Sequence, residues 1–598
     1  QDDNGAWSEP DTESLVVSSG DGRIFFVDAE QGNDSNDGTE GAPWKTITHA
    51  LALASATPAT INVLAGTYSA STNGESFPLN MKSWISLAGE DAETTVLDGE
   101  RNTYQVIYCD GIVDLIIADL TIMGGNADGD SWATICGGGI YCSNASLIIQ
   151  NNIIVANSAR ESGGGIYCPS GTLTVLANEI SGNSAGSGGG IHCRGEAVLN
   201  ISDNRISDNS AGAGGAIYCW ACSPVISANT ISGNIGGYGG AIYCRGGSSV
   251  VLENEISANI SHREGGAIAC QGGSLLLSDN TISGNYALES GGGVFSRECT
   301  LTALNNNVSG NLAETGGGFW LLDGQAWLFN NMLSENLSLE YAGAVFAWSS
   351  QLLLENCTIA FNESFTGFGG VLSAGGDVEI SDCIIWGNGD DLWGCSANYC
   401  CIEDDDEGEG NIHCNPMFVP GPLGDWYLNM ESPCVDAGSM SAEEAGLSDR
   451  TTQADGFLDA GILDMGYHYP VVRLSLKTSL NQENSAVGDL VIGTVECSNA
   501  GPALTADAYI GLIYPDGQIE TLCQYGYYVS GLHPVVLDLF LENGYQFGPE
   551  EMLIAVVPSD VMAGDYVFFS ALIDREMGYE APLALSMSEF EIDRVTGE

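Results

Sequence analysis

The stretch Gly214-Gly215-Ala216-Ile217-Tyr218-Cys219 returns as Gly239-Gly240-Ala241-Ile242-Tyr243-Cys244 and, in looser form, along most of the chain. Its aliphatic position falls at Ile140, Ile166, Ile191, Ile217, Ile242, Ile268, Val294, Phe319, Val345 and Val371, every 25 or 26 residues. A second pattern, Asn-x-Ile-Ser-x-Asn, ends at Asn157, Asn183, Asn209, Asn234, Asn259, Asn285, Asn311, Asn336, Asn362 and Asn388 with the same spacing. Between the two runs an apolar column, Ile149, Val175, Ile201, Ile226, Val251, Leu277, Ala303 and Leu328. Each repeat thus holds three short segments of period-2 alternation, punctuated by Gly or Asn. Helical solenoids need runs of roughly ten residues or more at period 3.6 and are excluded. The spacing predicts an all-β chain: a parallel β-helix with three strands per coil, equivalent positions stacking roughly 4.8 Å apart.

Stacking explains the composition of the columns. An Asn amide donates to the coil on one side and accepts from the other, so Asn forms ladders inside turns. Gly-Gly pairs suit corners where a Cβ would clash. Alternation points Cys142, Cys168, Cys193, Cys219, Cys244 and Cys270 inward, and Tyr141, Tyr167, His192, Tyr218 and Tyr243 outward. The next residue gives a further outward column, Arg194, Trp220, Arg245, Gln271 and Arg297.

The chain has 598 residues, 15 basic against 78 acidic, for a net charge of −63. That excludes nucleic-acid binding by phosphate neutralisation. With 44% hydrophobic residues a core is available, so the charge does not imply disorder. Glycine, at 80 residues, is roughly twice its average usage. Nineteen cysteines exceed routine cytosolic usage, and Gln1-Asp2-Asp3 reads as a mature terminus after signal removal, so an extracellular or cell-surface location is expected. No stretch approaches a membrane helix, and no CxxCH for haem attachment occurs; neither haem nor a nucleotide is expected as cofactor.

These columns resemble the right-handed parallel β-helix proteins of the pectate-lyase-like superfamily. The Gly-Gly-Ala-Ile pieces and Asn-rich turns are similar to polymorphic-outer-membrane-protein repeats. The run Phe26-Val27-Asp28 through Asp34 and Asp37 to Pro43-Trp44-Lys45-Thr46-Ile47 resembles the opening motif of secreted bacterial β-helix proteins, leading into a capping helix from Ile47 to Ala56. Gly410-Asn411-Ile412, Asn415-Pro416-Met417-Phe418, Ser432-Pro433-Cys434-Val435-Asp436-Ala437-Gly438 and Asp464-Met465-Gly466-Tyr467-His468-Tyr469 resemble the exit region of that group. The organisation expected is an extended segment (1–20), an opening and cap (21–120), coils (121–430), an exit region (431–470) and an antiparallel β-sandwich (471–598). The last, with turn signals at Gly488-Asp489 and Pro515-Asp516-Gly517, resembles immunoglobulin-like modules, for which Cys497 and Cys523 would be the disulfide.

The fold hosts many functions, so the site must decide. A lyase needs calcium carboxylates and a Lys or Arg base on one face. No lysine lies between Arg101 and Arg450, and no acidic cluster aligns with Arg194, Arg245 and Arg297. The paired-Asp, Gly-His-Gly and Arg-x-Lys motifs of galacturonases are missing, and Asp203 and Asp208 read as solvated. A non-enzyme is therefore expected. Calcium candidates are Asp34 and Asp37, the run Asp404, Asp405 and Asp406, and Asp455, Asp459 and Asp464, with solvated loops as the default. The inward cysteines are expected to pack as small hydrophobes, because a linear stack does not converge on a metal. Disulfides are expected outside that column, with Cys357 and Cys383 on adjacent coils as candidates. The leading functional expectation is a self-assembling surface fibre. The strand at Leu15, Val16 and Val17 would add to the sandwich edge of a second copy. The alternative is a secreted carbohydrate-binding or polysaccharide-degrading protein using Tyr167, Tyr218, Tyr243 and Arg245, and the third is an adhesin.

Overall fold

The computed structural model describes residues 23–54, 58–471 and, between 474 and 592, the residues of the β-strands. The chain divides into two compact units. The boundary falls between Ile380 and Ser381 and again between Ala397 and Asn398, with Ser381–Ile384 belonging to the second.

The first unit is a parallel β-solenoid. Strand Arg23–Val27 opens it, in parallel register with Ala59–Val63, which in turn pairs with Ile85–Gly89. One coil shows the plan, with strands Ile191–Arg194, Val198–Ser202, Arg205–Ser207 and Ser210–Ala211. The three expected segments thus become four short strands. In two earlier coils the first pair fuses, as Ile140–Gln150 and Ile166–Leu176. Register holds residue over equivalent residue: Ile191 pairs with Ile217, Ile201 with Ile226, Ile206 with Ile231. Ile191, Cys193, Ile201 and Ile206 are fully buried, as alternation requires.

The corners follow from backbone chemistry. Asp203 (φ 58°), Asp208 (φ 55°) and Gly233 (φ 67°) each precede a ladder asparagine. A left-handed residue turns the chain and leaves main-chain groups without a strand partner, and the following Asn supplies one. Asn234 Nδ2 donates to Ile206 O (2.9 Å), Ser232 O (3.0 Å) and Asn259 Oδ1 (3.0 Å). Asn234 Oδ1 accepts from Asn209 N and Asn209 Nδ2, both at 3.0 Å. Asp203 and Asp208 stand exposed at these corners, as solvated residues. At the Gly-Gly corner, Gly214 has φ 61°, and a Cβ on Gly215 would lie 2.2 Å from Gly240 O.

The capping helix forms at Ile47–Leu53, with Thr46 as N-cap. The buried Glu75 carboxylate accepts from Ile47 N (2.6 Å) and Thr48 N (3.0 Å), where the helix N-terminus favours negative charge.

The second unit contains the hairpin Phe418–Gly421 with Gly424–Leu428, a short helix Ala442–Ala445, and the antiparallel pair Arg450–Thr451 with Tyr469–Pro470. Beyond these stand two antiparallel sheets. One joins Leu474–Leu480, Leu490–Asn499 and Gln546–Val556; the other centres on Leu504–Ile513, Gly564–Ile573 and Ala584–Ile592. Both are antiparallel, as the turn signals predict, apart from the short strand Asn484–Ser485, which pairs in parallel with Ala584–Ile592. Cys523, and with it the expected pairing to Cys497, lies outside the described residues, as do Leu15, Val16 and Val17. No helix among the described residues is long and apolar enough to cross a membrane.

Candidate functional site

The tyrosine column corrects an expectation. Its side chains leave the coil interior, but they are not a surface. Tyr141, Tyr167, His192, Tyr218 and Tyr243 are at most 8% exposed. Ile135 and Cys136 pack on Tyr141 and Tyr167, and Ala213 and Tyr238 pack on Tyr218 and Tyr243. The cover is the chain just before each Gly-Gly corner, which folds back over the strand that follows. The rings stack on one another, Tyr218 on Tyr243 at 5.2 Å and His192 edge-on to Tyr218 at 4.8 Å. The column is a second, aromatic core. Tyr167, Tyr218 and Tyr243 therefore form no open ligand platform.

The next residue along each strand does reach solvent. Trp220 is 42% exposed, and the Arg194 guanidinium sits 5.1 Å from its ring centroid. Arg245 lies 6.0 Å from the same ring on the other side of the register, since Trp220 pairs with both Arg194 and Arg245. Arg194 also lies 5.7 Å from Trp132, which is 48% exposed. Trp132 comes from a 3₁₀ turn, Trp132–Thr134, and its Nε1 donates to Tyr167 OH at 3.0 Å, which fixes the ring. The result is a stripe in the order Trp132, Arg194, Trp220, Arg245. Arg297, two coils further on, is paired with Glu298 at 3.5 Å. Among the described residues no carboxylate pairs with Arg194 or Arg245. Trp132 was not singled out from the sequence. The signal was the 33-residue step from Ile107 to Ile140, which are in register and so enclose an insertion.

Five of the eight calcium candidates, Asp34, Asp37, Asp455, Asp459 and Asp464, accept hydrogen bonds from nearby groups of the chain. Asp34 Oδ1 accepts from Lys45 N (2.8 Å) and Thr46 N (3.0 Å), and its Oδ2 from Thr46 Oγ1 (3.0 Å). Asp37 accepts from Thr39 Oγ1 (2.8 Å) and Thr39 N (3.2 Å), and these bonds hold its carboxyl below the usual range. Asp405 is exposed, while Asp404 and Asp406 are half-buried; burial, then the charge of Asp404, raises Asp406. Asp455 accepts from Phe457 N. Asp459 and Asp464 are buried. Asp459 Oδ2 lies 2.8 Å from His468 Nε2 and accepts from Asp464 N, and Asp464 accepts from Asp436 N and Thr452 Oγ1.

Cys357 takes the place of an Asn in the ladder that contains Asn204, Asn229 and Asn331. Its sulfur accepts from Asn331 N (3.3 Å) and donates to Leu328 O (3.5 Å). In the second unit Cys383 N donates to Cys400 Sγ, the same ladder role. The disulfide among the described residues joins instead Cys270, a member of the inward column, to Cys299. The column also converges where a linear stack was expected not to. Cys222 enters from a corner, so that Cys193, Cys219 and Cys222 have all three sulfurs within 4.8 Å of one another. Hydrogen bonding with Cys193 and then Cys219 lowers the Cys222 thiol from its ordinary value.

Residues 215–406 match the family model described as the right handed beta helix region. No curated protein matches the chain. Two solved structures of GH136 lacto-N-biosidase from Eubacterium ramulus are similar. The native protein is 13% identical over 60% of this chain and 68% of its own, with a TM-score of 0.33. The selenomethionine derivative is 12% identical over 60% and 67%, with a TM-score of 0.32. The first unit has the fold of a right-handed parallel β-helix.

Proposed function

We propose that the protein is an extracellular carbohydrate-binding β-helix whose ligand lies along the Trp132–Arg194–Trp220–Arg245 stripe. The observation that carries this reading is the exposed Trp220 ring between two guanidiniums that no carboxylate neutralises. The exposed edge of the Trp220 indole, held between the two guanidiniums, offers apolar contact to a pyranose ring, and each guanidinium donates to hydroxyl or carboxylate oxygens in a planar fork. Arg194 and Arg245 are two coils apart, roughly 10 Å at the spacing of stacked strands. That is the reach of about two consecutive sugar rings, so an extended polysaccharide running along the coils meets donor and ring in alternation. On a chain of net charge −63 these arginines are a local exception, which favours an acidic glycan.

Calorimetric titration with polygalacturonate and with neutral glucans tests it. Trp220→Ala and Arg245→Ala are each expected to weaken acidic-glycan binding about tenfold, roughly 1.4 kcal/mol. The Arg245 effect should shrink in high salt. Failure of the wild-type protein to bind any acidic or neutral polysaccharide on a glycan array overturns the proposal.

A self-assembling shaft is the second reading. The unbroken ladder from Asn157 to Asn362 supports it, because such a column resists bending. Filaments in negative-stain images of purified protein would favour it, and monodisperse particles at high concentration would count against it.

A further inference from the structure

We infer that Cys193 and Cys222 form a second disulfide of the solenoid, equivalent to Cys270–Cys299, leaving Cys219 as a buried thiol beside it. The argument is one of register. Cys193 and Cys270 occupy the same inward column, three coils apart, since Cys193 pairs with Cys219, Cys219 with Cys244 and Cys244 with Cys270. Cys222 and Cys299 likewise share one column, at the corner after the Cys-x strand end. In the other coils from Ala145 to Gly376 that corner holds Gly, Ala or Ser. In each case the partner lies 29 residues earlier, one coil back.

The local backbone is also the same at both corners. Ala221 (φ 54°) and Glu298 (φ 50°) are left-handed non-glycine residues immediately before the corner cysteine. Their N–H groups bond to the next coil, Ala221 N to Arg245 O and Glu298 N to Leu322 O. That turn aims the following side chain inward and back over the coil below. A glycine covers each corner. A Cβ on Gly247 would meet Cys222 O at 2.1 Å, and one on Gly324 would meet Cys299 O at 2.6 Å. Cys222 is 3% exposed, and its sulfur lies 3.3 Å from Cys193 Sγ.

Cys219 is the competitor, with its sulfur 3.4 Å from Cys193 Sγ. It is stacked in register with Cys193, however, so the two side chains run parallel. A disulfide wants its two Cβ–S bonds nearly perpendicular about the S–S axis. The column itself separates the cases. Cys142, Cys168, Cys193, Cys219, Cys222 and Cys244 all stand as thiols in the structure, and Cys270, which is linked, is joined to the corner cysteine and not to its column neighbour Cys244.

Bond formation removes two protons and two electrons from the Cys193 and Cys222 thiols. A small-molecule disulfide such as oxidised glutathione takes them and leaves as two thiols, by way of a mixed disulfide on one of the two sulfurs. Both sulfurs are buried in the finished coil, so exchange precedes the stacking of the next coil.

The test is a disulfide map of the full chain folded in a glutathione redox buffer, then denatured, alkylated without reduction, digested with trypsin and chymotrypsin and sequenced by tandem mass spectrometry. Cleavage after Trp220 separates Cys219 from Cys222. Expected is a cross-link of Cys193 to Cys222, with Cys219 recovered alkylated and Cys270–Cys299 present as the internal reference. A link from Cys219 to either neighbour, Cys222 recovered as an alkylated thiol, or one equivalent of zinc or copper held by the native protein in elemental analysis would overturn the proposal. Cys222→Ser gives a second measurement. It should lower the melting temperature of oxidised protein and should also remove the Cys193 cross-link without creating one to Cys219. An unchanged melt with a new Cys193–Cys219 link overturns it too.

Discussion

Replacing Asn234 by Ala is expected to destabilise the solenoid by about 4 kcal/mol, since several buried partners lose their bonds at about 1–3 kcal/mol for each group left unsatisfied. Those partners are Ile206 O, Asn259 Oδ1, Asn209 N and the Asn209 amide, all of them now bonded to one fully buried side chain. Asn234→Asp is expected to be worse at neutral pH. A carboxylate still accepts from Asn209, but it cannot donate to Ile206 O or Asn259 Oδ1, and it brings a charge into the core. Lowering the pH should recover part of that loss, because the protonated acid regains one donor. Asn234→Cys should be the mildest of the three, since the chain itself places Cys357 at a ladder position, where the thiol both accepts and donates. Solenoid stability is a sum of neighbour terms, so the loss should be local. Urea titration followed by amide exchange across 204–260 checks it. Equal midpoints for Ala and wild type, or Asp above Ala at pH 7, would sink the account.

The ladders were legible because stacking multiplies a signal. One Asn in a turn says little, but ten at a spacing of 25 or 26 name both the architecture and the role of the residue. The inward cysteines and aliphatic columns were legible for the same reason. Period-2 alternation fails at a different point. It tells which side of a strand a residue leaves from, and not whether other chain covers that side. Tyr167 and Tyr218 point away from the coil interior, yet Cys136 and Tyr238 roof them over. The candidate stripe was half visible. Arg194, Trp220 and Arg245 follow from register, but Trp132 arrives through an insertion that has no counterpart in the other coils. The cysteine convergence was hidden because Cys222 leaves the column and is re-aimed by a single left-handed residue, Ala221.

The buried aromatic column carries the other large expectation, an acid weakness centred on His192. The ring is 3% exposed, between Tyr167 at 5.4 Å and Tyr218 at 4.8 Å, and neither nitrogen makes a well-formed hydrogen bond. Burial lowers its pKa from 6.5 to about 3, against an opposing pull from the Ser187 backbone and with a smaller push from the charge of Arg194. The sign follows directly. Above pH 6.5 the imidazole is neutral folded and unfolded, so it contributes nothing to the pH dependence. Below 6.5 the unfolded chain binds a proton that the folded chain refuses, and stability falls until the folded state also protonates near pH 3. At pH 4 the accumulated loss is about 3 kcal/mol. His192→Phe keeps a ring in the stack and removes the titration. The variant should match or slightly exceed wild type at pH 7, where it removes two nitrogens without well-formed hydrogen bonds, and its advantage should widen by about 3 kcal/mol at pH 4. Carboxylates titrate over the same window in both proteins and cancel in the difference. Urea midpoints of the two proteins at pH 7 and pH 4 decide the matter. A gap that stays constant between the two pH values would mean that His192 reaches a proton in the folded state, and the aromatic column would then have to open to solvent.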